Sequence, residues 1–153
     1  MINLMAQLPR LLPKAVEWAD RQQREILATG IPLTPAEIVM AREVGVAQPD
    51  KIRVKVVVSL PLPEDPELSA AALQTGLLGP NMTGLTLFYG IFICKSVVGS
   101  RNLIAHECRH VQQYERYGSV AAFLQEYLFQ IVTAAYFNAP FEQDARMAAS
   151  KYI

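Results

Sequence analysis

The sequence predicts an α+β fold, in which several helices surround a small sheet. Two observations indicate it: apolar residues recur at helical spacing between capping signals over most of the chain, and two segments are rich in β-branched and aromatic residues. A chain of 153 residues has the size of one domain with one core. We therefore expect a single domain, with a helical segment at residues 1–48 and a core at residues 49–153.

Composition excludes several classes of protein and partner. Hydrophobic residues make up 52% of the chain and charged residues 18%, which is typical of a packed globular protein and not of a disordered one. Fourteen basic residues offset fourteen acidic ones, so no strong field attracts nucleic acid. The longest apolar run, Leu85–Cys94, is shorter than the roughly 20 residues of a membrane span, and no signal sequence is evident. We expect a cytoplasmic protein.

Two helices are predicted before residue 48. Pro13 can open the first, which runs to about Thr29 and ends at Gly30. Thr34 can cap the second, with proline at its first position and Glu37 placed to complete a capping box. This second helix is expected to reach about Val44.

Two strands with a helix between them follow. Residues 51–59 alternate charged and β-branched side chains, as a half-buried strand does. Asp65 and Pro66 are a cap and first-turn pair for a helix over about 67–77. Residues 84–94 are rich in β-branched and aromatic residues, which predicts one strand covered on both faces, with a possible bend at Gly90.

Three helices are predicted in the last third of the chain. Ser100 caps the first, over about 101–117, and Gly118 ends it. Ser119 caps the next, which runs to about Tyr136. The last begins at about Pro140.

The helix over 101–117 contains the segment His106-Glu107-Cys108-Arg109-His110. Its two histidines, the only ones in the chain, lie four residues apart and therefore share one helix face, where one metal ion can reach both. Zinc favours neutral imidazole, and a catalytic zinc site has three protein ligands and one open position. Glu107 then stands beside the metal as a general base. The HExxH pattern thus predicts a hydrolytic site with one Zn²⁺ ion.

The third ligand is expected to be an acidic residue. We favour Glu142, in the first turn of the last helix, where a carboxylate also interacts favourably with the helix N-terminus. Glu126 is the rival, although its simplest interpretation is a solvent-exposed carboxylate. Glu115 lies about 140° around the helix from His110 and is excluded. Cys108 points away from the histidines and, like Cys94, is interpreted as a buried thiol.

Three further residues are candidates for roles around the metal. Asp144 either orients a ligand histidine or is a solvated acid of the first helical turn. Arg146 shares a helix face with Glu142 and can bind a substrate carboxylate or stabilise an oxyanion, and Tyr136 can donate a hydrogen bond to that oxyanion. Surface ion pairing for Arg146 and core packing for Tyr136 are the alternatives.

From about Lys51 to Arg146, the sequence resembles the gluzincin-type zinc metallopeptidases, in particular the small single-domain minigluzincins. The matching features are the apolar strand segment from Gly84, the HExxH helix and the stretch from Tyr136 to Arg146, in that order. The resemblance implies a zincin-like fold, with a small mixed sheet packed against the HExxH helix. It also implies that Leu85–Ile93 forms an edge strand along which a peptide can lie, and that Glu142 completes the metal site.

The leading functional hypothesis is a zinc-dependent metallopeptidase that acts on a peptide or protein. A catalytically inactive zinc module that binds a partner along its edge strand is the alternative. A third hypothesis is a latent enzyme, in which the helices between Pro13 and Val44 cover the cleft.

Overall fold

The computed structural model describes residues 3–153, which form six α-helices and a mixed four-stranded sheet. This confirms the predicted α+β class. The helices are α1 (Leu4–Thr29), α2 (Pro35–Glu43), α3 (Pro66–Thr75), α4 (Arg101–Tyr117), α5 (Val120–Ala134) and α6 (Pro140–Ala149). The strands are β1 (Ile31–Pro32), β2 (Arg53–Val57), β3 (Gly84–Leu87) and β4 (Gly90–Cys94).

The sheet has the strand order β1-β2-β4-β3. The two inner strands, β2 and β4, are parallel, with Val54 opposite Ile91, and each outer strand is antiparallel to its neighbour. Strand β3 is therefore an edge strand, and helix α4 contacts it.

The core lies on both faces of β4, whose five residues are all buried. On one face, Ile91 and Ile93 share a cluster with residues of α2, α4 and α6. On the other face, Phe92 shares a cluster with residues of α1, α3 and α5. Helix α1 approaches the sheet so closely that a Cβ atom at Gly90 would lie 3.0 Å from the side chain of Ile26. Because both faces of β4 are buried, its sequence does not alternate polar with apolar residues.

Local capping signals place several helix ends where the sequence predicts them. Ser100 accepts a hydrogen bond from the Leu103 amide at the start of α4, and Gly118, with φ 84°, ends that helix. Thr34 and Glu37 form the predicted capping box of α2. These ends depend on interactions within a few residues.

The single strand predicted over residues 84–94 is wrong, because this segment is a hairpin. The chain reverses at Phe88 and Tyr89, with Phe88 at φ 57°, and β3 pairs antiparallel with β4. The edge strand expected over Leu85–Ile93 is consequently confined to β3, since β4 lies inside the sheet. Aromatic residues are poor turn signals, but stacking of the Phe88 ring on Tyr89 and Tyr114 stabilises this turn.

The predicted start of the first helix at Pro13 is also wrong. Helix α1 begins at Leu4, where the Asn3 side chain accepts a hydrogen bond from the Ala6 amide, and it contains both Pro9 and Pro13. Its buried face packs on the sheet and on α5, so tertiary contacts offset the loss of two intrahelical hydrogen bonds. Among the helices described, none is long and apolar enough to span a membrane.

Candidate metal centre

Three side chains from two helices converge at one point. The Nε2 atom of His106 lies 3.1 Å from Oε1 of Glu142, and the Nε2 atom of His110 lies 2.9 Å from Oε2 of the same carboxylate. One donor atom from each residue falls within 4.8 Å of the others. The histidines lie one turn apart on α4, and Glu142 lies in the first turn of α6.

This donor set fits a metal ion. Zinc binds imidazole nitrogen and carboxylate oxygen at about 2.0–2.2 Å, so two ligand atoms of a tetrahedral ion lie about 3.4 Å apart. Each histidine nitrogen lies within half an ångström of that separation from one oxygen of Glu142, His106 from Oε1 and His110 from Oε2. Two imidazoles with one carboxylate also leave one tetrahedral position free.

The charges of the three side chains favour the same arrangement without a metal. Burial of His110 lowers its pKa, but the charge and hydrogen bond of Glu142 outweigh burial and raise the pKa to about 9. Burial of Glu142 raises its pKa, but the charge of His110 and hydrogen bonds from both histidines hold it well below its usual range. A proton on His110 thus occupies the place of a cation, and metal binding must displace it.

The carboxylate of Glu142 is almost fully buried, and each of its oxygens has at least one polar partner. Besides the two histidines, the hydroxyl of Tyr127 in α5 donates to Oε2 at 2.8 Å. Burial and the charge of Glu142 raise the pKa of Tyr127 well above its usual value, so this hydroxyl keeps its proton. Tyr127 therefore stabilises the ionised carboxylate and holds its orientation.

The carboxylate of Glu107 lies beside this centre, on the side of strand β3. It is buried, and the Thr86 hydroxyl lies 2.8 Å from its Oε1. A Cβ atom at Gly84 would lie 3.0 Å from its Oε2. The edge strand thus holds the predicted base by one hydrogen bond and one close backbone approach.

The remaining nitrogen of His110 contacts an amide. Its Nδ1 atom lies 2.8 Å from Oε1 of Gln113, one turn further along α4. The Gln113 Nε2 atom donates to Oδ2 of Asp144 at 2.8 Å and to the Phe141 carbonyl at 3.0 Å. Arg109 donates to both oxygens of Asp144, at 2.8 and 3.2 Å, and lowers its pKa. Asp144 consequently reaches His110 only through Gln113.

The other acidic candidate, Glu126, lies outside the convergent group. Its carboxylate accepts a hydrogen bond from Nε2 of Gln130 at 3.3 Å, and Oε1 of Gln130 accepts the Phe141 amide hydrogen at 2.9 Å. Glu126 thus helps to hold the start of α6. Glu115, which helix geometry excludes as a metal ligand, accepts the amide hydrogens of Ala47 and Gln48.

The structure separates the two candidates for oxyanion stabilisation. Arg146 donates to the Phe137 carbonyl, and its guanidinium lies 4.2 Å from the centre of the Phe137 ring. Tyr136 is half-buried beside the centre, and burial followed by the charges of Glu142 and Glu107 raises its pKa. The phenol of Tyr136 therefore keeps its proton at neutral pH. The guanidinium of Arg146 instead binds Phe137, in the loop before α6.

An apolar cavity of about 120 Å³ extends from the centre. Glu107, His110, Glu142 and Tyr136 line its polar end. Its walls come from α1, α3, β3 and α5 and include Leu8, Leu11, Leu68, Leu85, Leu128 and Ile131. A cavity of roughly 150 Å³ accepts a benzene ring, so this one suits a single aliphatic side chain.

Sequence reasoning missed Gln113, Tyr127, Thr86 and Gly84. A signal existed only for Gln113, because residues three apart on a helix are neighbours and His110 needs a partner for its second nitrogen. Tyr127 recurs at helical spacing with apolar residues of α5, which favours a core position, and the two β3 residues approach Glu107 only after the hairpin has formed.

Comparisons of the chain with protein-family models, with curated proteins and with solved structures found no match.

Proposed function

We propose that this chain is a zinc-dependent peptidase with a zincin-like fold, in which His106, His110 and Glu142 hold one ion. The observation that carries the proposal is a buried carboxylate, Glu107, beside three donor atoms that lie within 4.8 Å of one another. Imidazole with carboxylate suits zinc better than the oxygen-preferring cations. The edge position of β3 and the order of the motifs resemble the gluzincins and support the same proposal.

The chain's own residues would carry the proton transfers. When bound, zinc supplies a Lewis acid that polarises a carbonyl and lowers the pKa of water to about 7. Glu107 accepts a proton from the attacking water and passes it to the leaving amine, while Thr86 holds the carboxylate in place. Tyr136 donates a hydrogen bond to the developing oxyanion. The apolar walls of the cavity exclude other water from the site.

The cavity supports a substrate class for this reaction. Its apolar lining reaches Glu107 and His110, so a substrate side chain in it lies next to the scissile bond. Transfer of a leucine-sized side chain from water stabilises binding by about 1.5–3 kcal/mol, whereas a charged side chain would lie there without a partner. We propose peptides with an aliphatic residue at that position as substrates.

The test is a comparison of variants of the zinc-loaded chain on a peptide library at neutral pH. We expect Glu107→Gln to bind zinc as the natural chain does but to cleave about 10²–10⁴-fold more slowly. Glu126→Gln is the matched control and should change neither property, since its carboxylate contacts Gln130. Glu142→Gln should lose zinc affinity. Cleavage by Glu107→Gln at the rate of the natural chain refutes the mechanism.

The second candidate function is an inactive zinc module that binds a partner, and the edge position of β3 favours it. The ion would tie α4 to α6, and the edge of β3 has no further strand beside it in the described part of the chain. This function predicts zinc-dependent stability and peptide binding with no cleavage by the natural chain.

A further inference from the structure

The side chain of Gln113 lies where it can determine the tautomer of the His110 imidazole. It is buried on α4 between His110 and the start of α6. Its three contacts are the Nδ1 atom of His110, the Phe141 carbonyl and the carboxylate of Asp144. Each end of the amide therefore faces a different kind of partner.

The partners determine which way the amide points. A carbonyl and a carboxylate only accept hydrogen bonds, so the NH₂ group must face Phe141 and Asp144 and the amide oxygen must face His110. The opposite orientation would place three acceptor oxygens against one another. Arg109 donates to both oxygens of Asp144, so that carboxylate acts as an acceptor towards Gln113 as well.

The hydrogen-bond network of Gln113 and Asp144 extends away from the metal centre through Arg109. Arg109 also donates from Nη1 to the Val44 carbonyl at the end of α2, at 2.7 Å. The two groups that accept hydrogen bonds from Gln113, those of Phe141 and Asp144, belong to α6, the helix that supplies Glu142. The amide is thus held by groups that belong to the framework and not to the ligand set.

From this geometry we infer that Gln113 is a positioning residue, which holds neutral His110 with its proton on Nδ1 and its Nε2 lone pair directed at the metal. An amide oxygen is an acceptor only, so the nitrogen facing it must carry the proton. Outer partners of this kind typically change metal affinity 10–100-fold. The inference rests on the proposed zinc binding, but it concerns how the affinity is set.

The experiment measures zinc affinity of the full chain by competition with a chelator. We expect Gln113→Met, which keeps the side-chain length and removes the acceptor, to bind zinc about 10–100-fold more weakly. Gln112→Met is the matched control, because Gln112 is the adjacent residue and its buried oxygen has no hydrogen-bond partner among the described residues. It should bind zinc as the natural chain does.

A spectroscopic measurement uses the natural chain and so does not depend on how well a variant folds. In ¹⁵N spectra of the zinc-loaded natural chain, His110 should carry its proton on Nδ1, slow to exchange with water, and metal on Nε2. Metal on Nδ1, or equal zinc affinity in Gln113→Met, would overturn the inference. A natural chain that binds no zinc would instead overturn the proposed function before any variant is compared.

Discussion

Glu107 is held by contacts that tolerate little change. Its carboxylate lies against the backbone at Gly84, where an added Cβ atom would be 3.0 Å from Oε2 and 3.1 Å from Cδ. Contacts this short force the carboxylate or the strand to move by a few tenths of an ångström. A proton acceptor is effective only within hydrogen-bond reach of its water, so a small displacement matters.

We therefore expect Gly84→Ala to lower kcat/KM for peptide cleavage by about 10–10²-fold and to leave zinc affinity unchanged. The methyl group displaces the base, whereas the ligands on α4 and α6 do not touch position 84. Steady-state cleavage and a zinc titration on the same sample check this. Equal activity in the variant would mean that Glu107 is not the base or is not held here.

The ion pair between His110 and Glu142 predicts how the metal-free chain responds to pH. Burial lowers the pKa of His110, but Glu142 raises it from 6.5 to about 9 in the folded state. The folded state thus binds this proton more tightly than the unfolded state, and the stabilisation is complete below pH 6.5. It is lost as pH rises from 6.5 to about 9.

In the presence of a chelator, Tm should consequently fall over that range. The control is His110→Gln, in which this part of the pH dependence should disappear. A flat Tm between pH 6.5 and 9 for the natural metal-free chain would contradict the coupling. Zinc affinity should rise over the same range, because the ion competes with the proton.

Among the structural elements, α4 is the one most fully specified by local sequence. Its cap at Ser100, its end at Gly118 and its apolar spacing all act within a few residues of one another. The distance between the two histidines follows from helix geometry alone. The sequence could therefore predict both the helix and the pair of ligands on it.

The junction between α5 and α6 carries backbone strain. Ala135 ends α5 with φ 68° and ψ 162°, a region occupied almost only by glycine and costing other residues about 1–3 kcal/mol. Tyr136 and the start of α6 follow at once, so this strained residue sets where Glu142 enters the centre.

Replacement of Ala135 by glycine should relieve this strain and stabilise the chain by about 1 kcal/mol, after the larger unfolded-state entropy of glycine is subtracted. Because Ala134 is helical, Ala134→Gly is the matched control and should cost about 0.5–1 kcal/mol. Chemical denaturation of both variants gives the comparison. A loss of stability in both would show that residue 135 is not strained.

In the whole molecule, the described residues before position 48 contribute to the core. Trp18 and Ile26 of α1 are buried with Phe92 of β4, and β1 pairs with β2. Ion pairs such as Arg10 with Glu67 also join α1 to α3, although both side chains are exposed and contribute little. Displacement of these helices to open a latent site would expose residues of β4 that α1 and α2 help to bury.

Removal of residues 1–48 should therefore abolish cooperative unfolding. Trp18→Ala alone is expected to cost about 3–5 kcal/mol, a large part of the 5–15 kcal/mol that stabilises a typical domain. Arg10→Ala is the control, with an expected change of at most about 1 kcal/mol. A truncated chain that melts cooperatively and cleaves faster would instead support the latent-enzyme hypothesis.

Much of the centre could be predicted because its ligands lie on elements with strong local signals. His106 and His110 share a helix, and Pro140 marks the start of the helix that carries Glu142. Gln113 could have been found by spacing but was not. Thr86 and Gly84 could not, because a hairpin turn at two aromatic residues has no sequence signal and a one-strand interpretation places them away from Glu107.

The sequence by itself determined the α+β class, the helices with their caps, and the separation of two histidines along one face. Only the tertiary structure decided that Glu142 rather than Glu126 meets them, that Tyr127 and Gln113 hold the ligands, and that an apolar cavity opens at Glu107. The physical reason is the separation along the chain over which each kind of interaction acts. Capping and helical periodicity act between residues three or four apart, whereas convergence of α4, α5, α6 and β3 depends on how the apolar faces of all elements pack together.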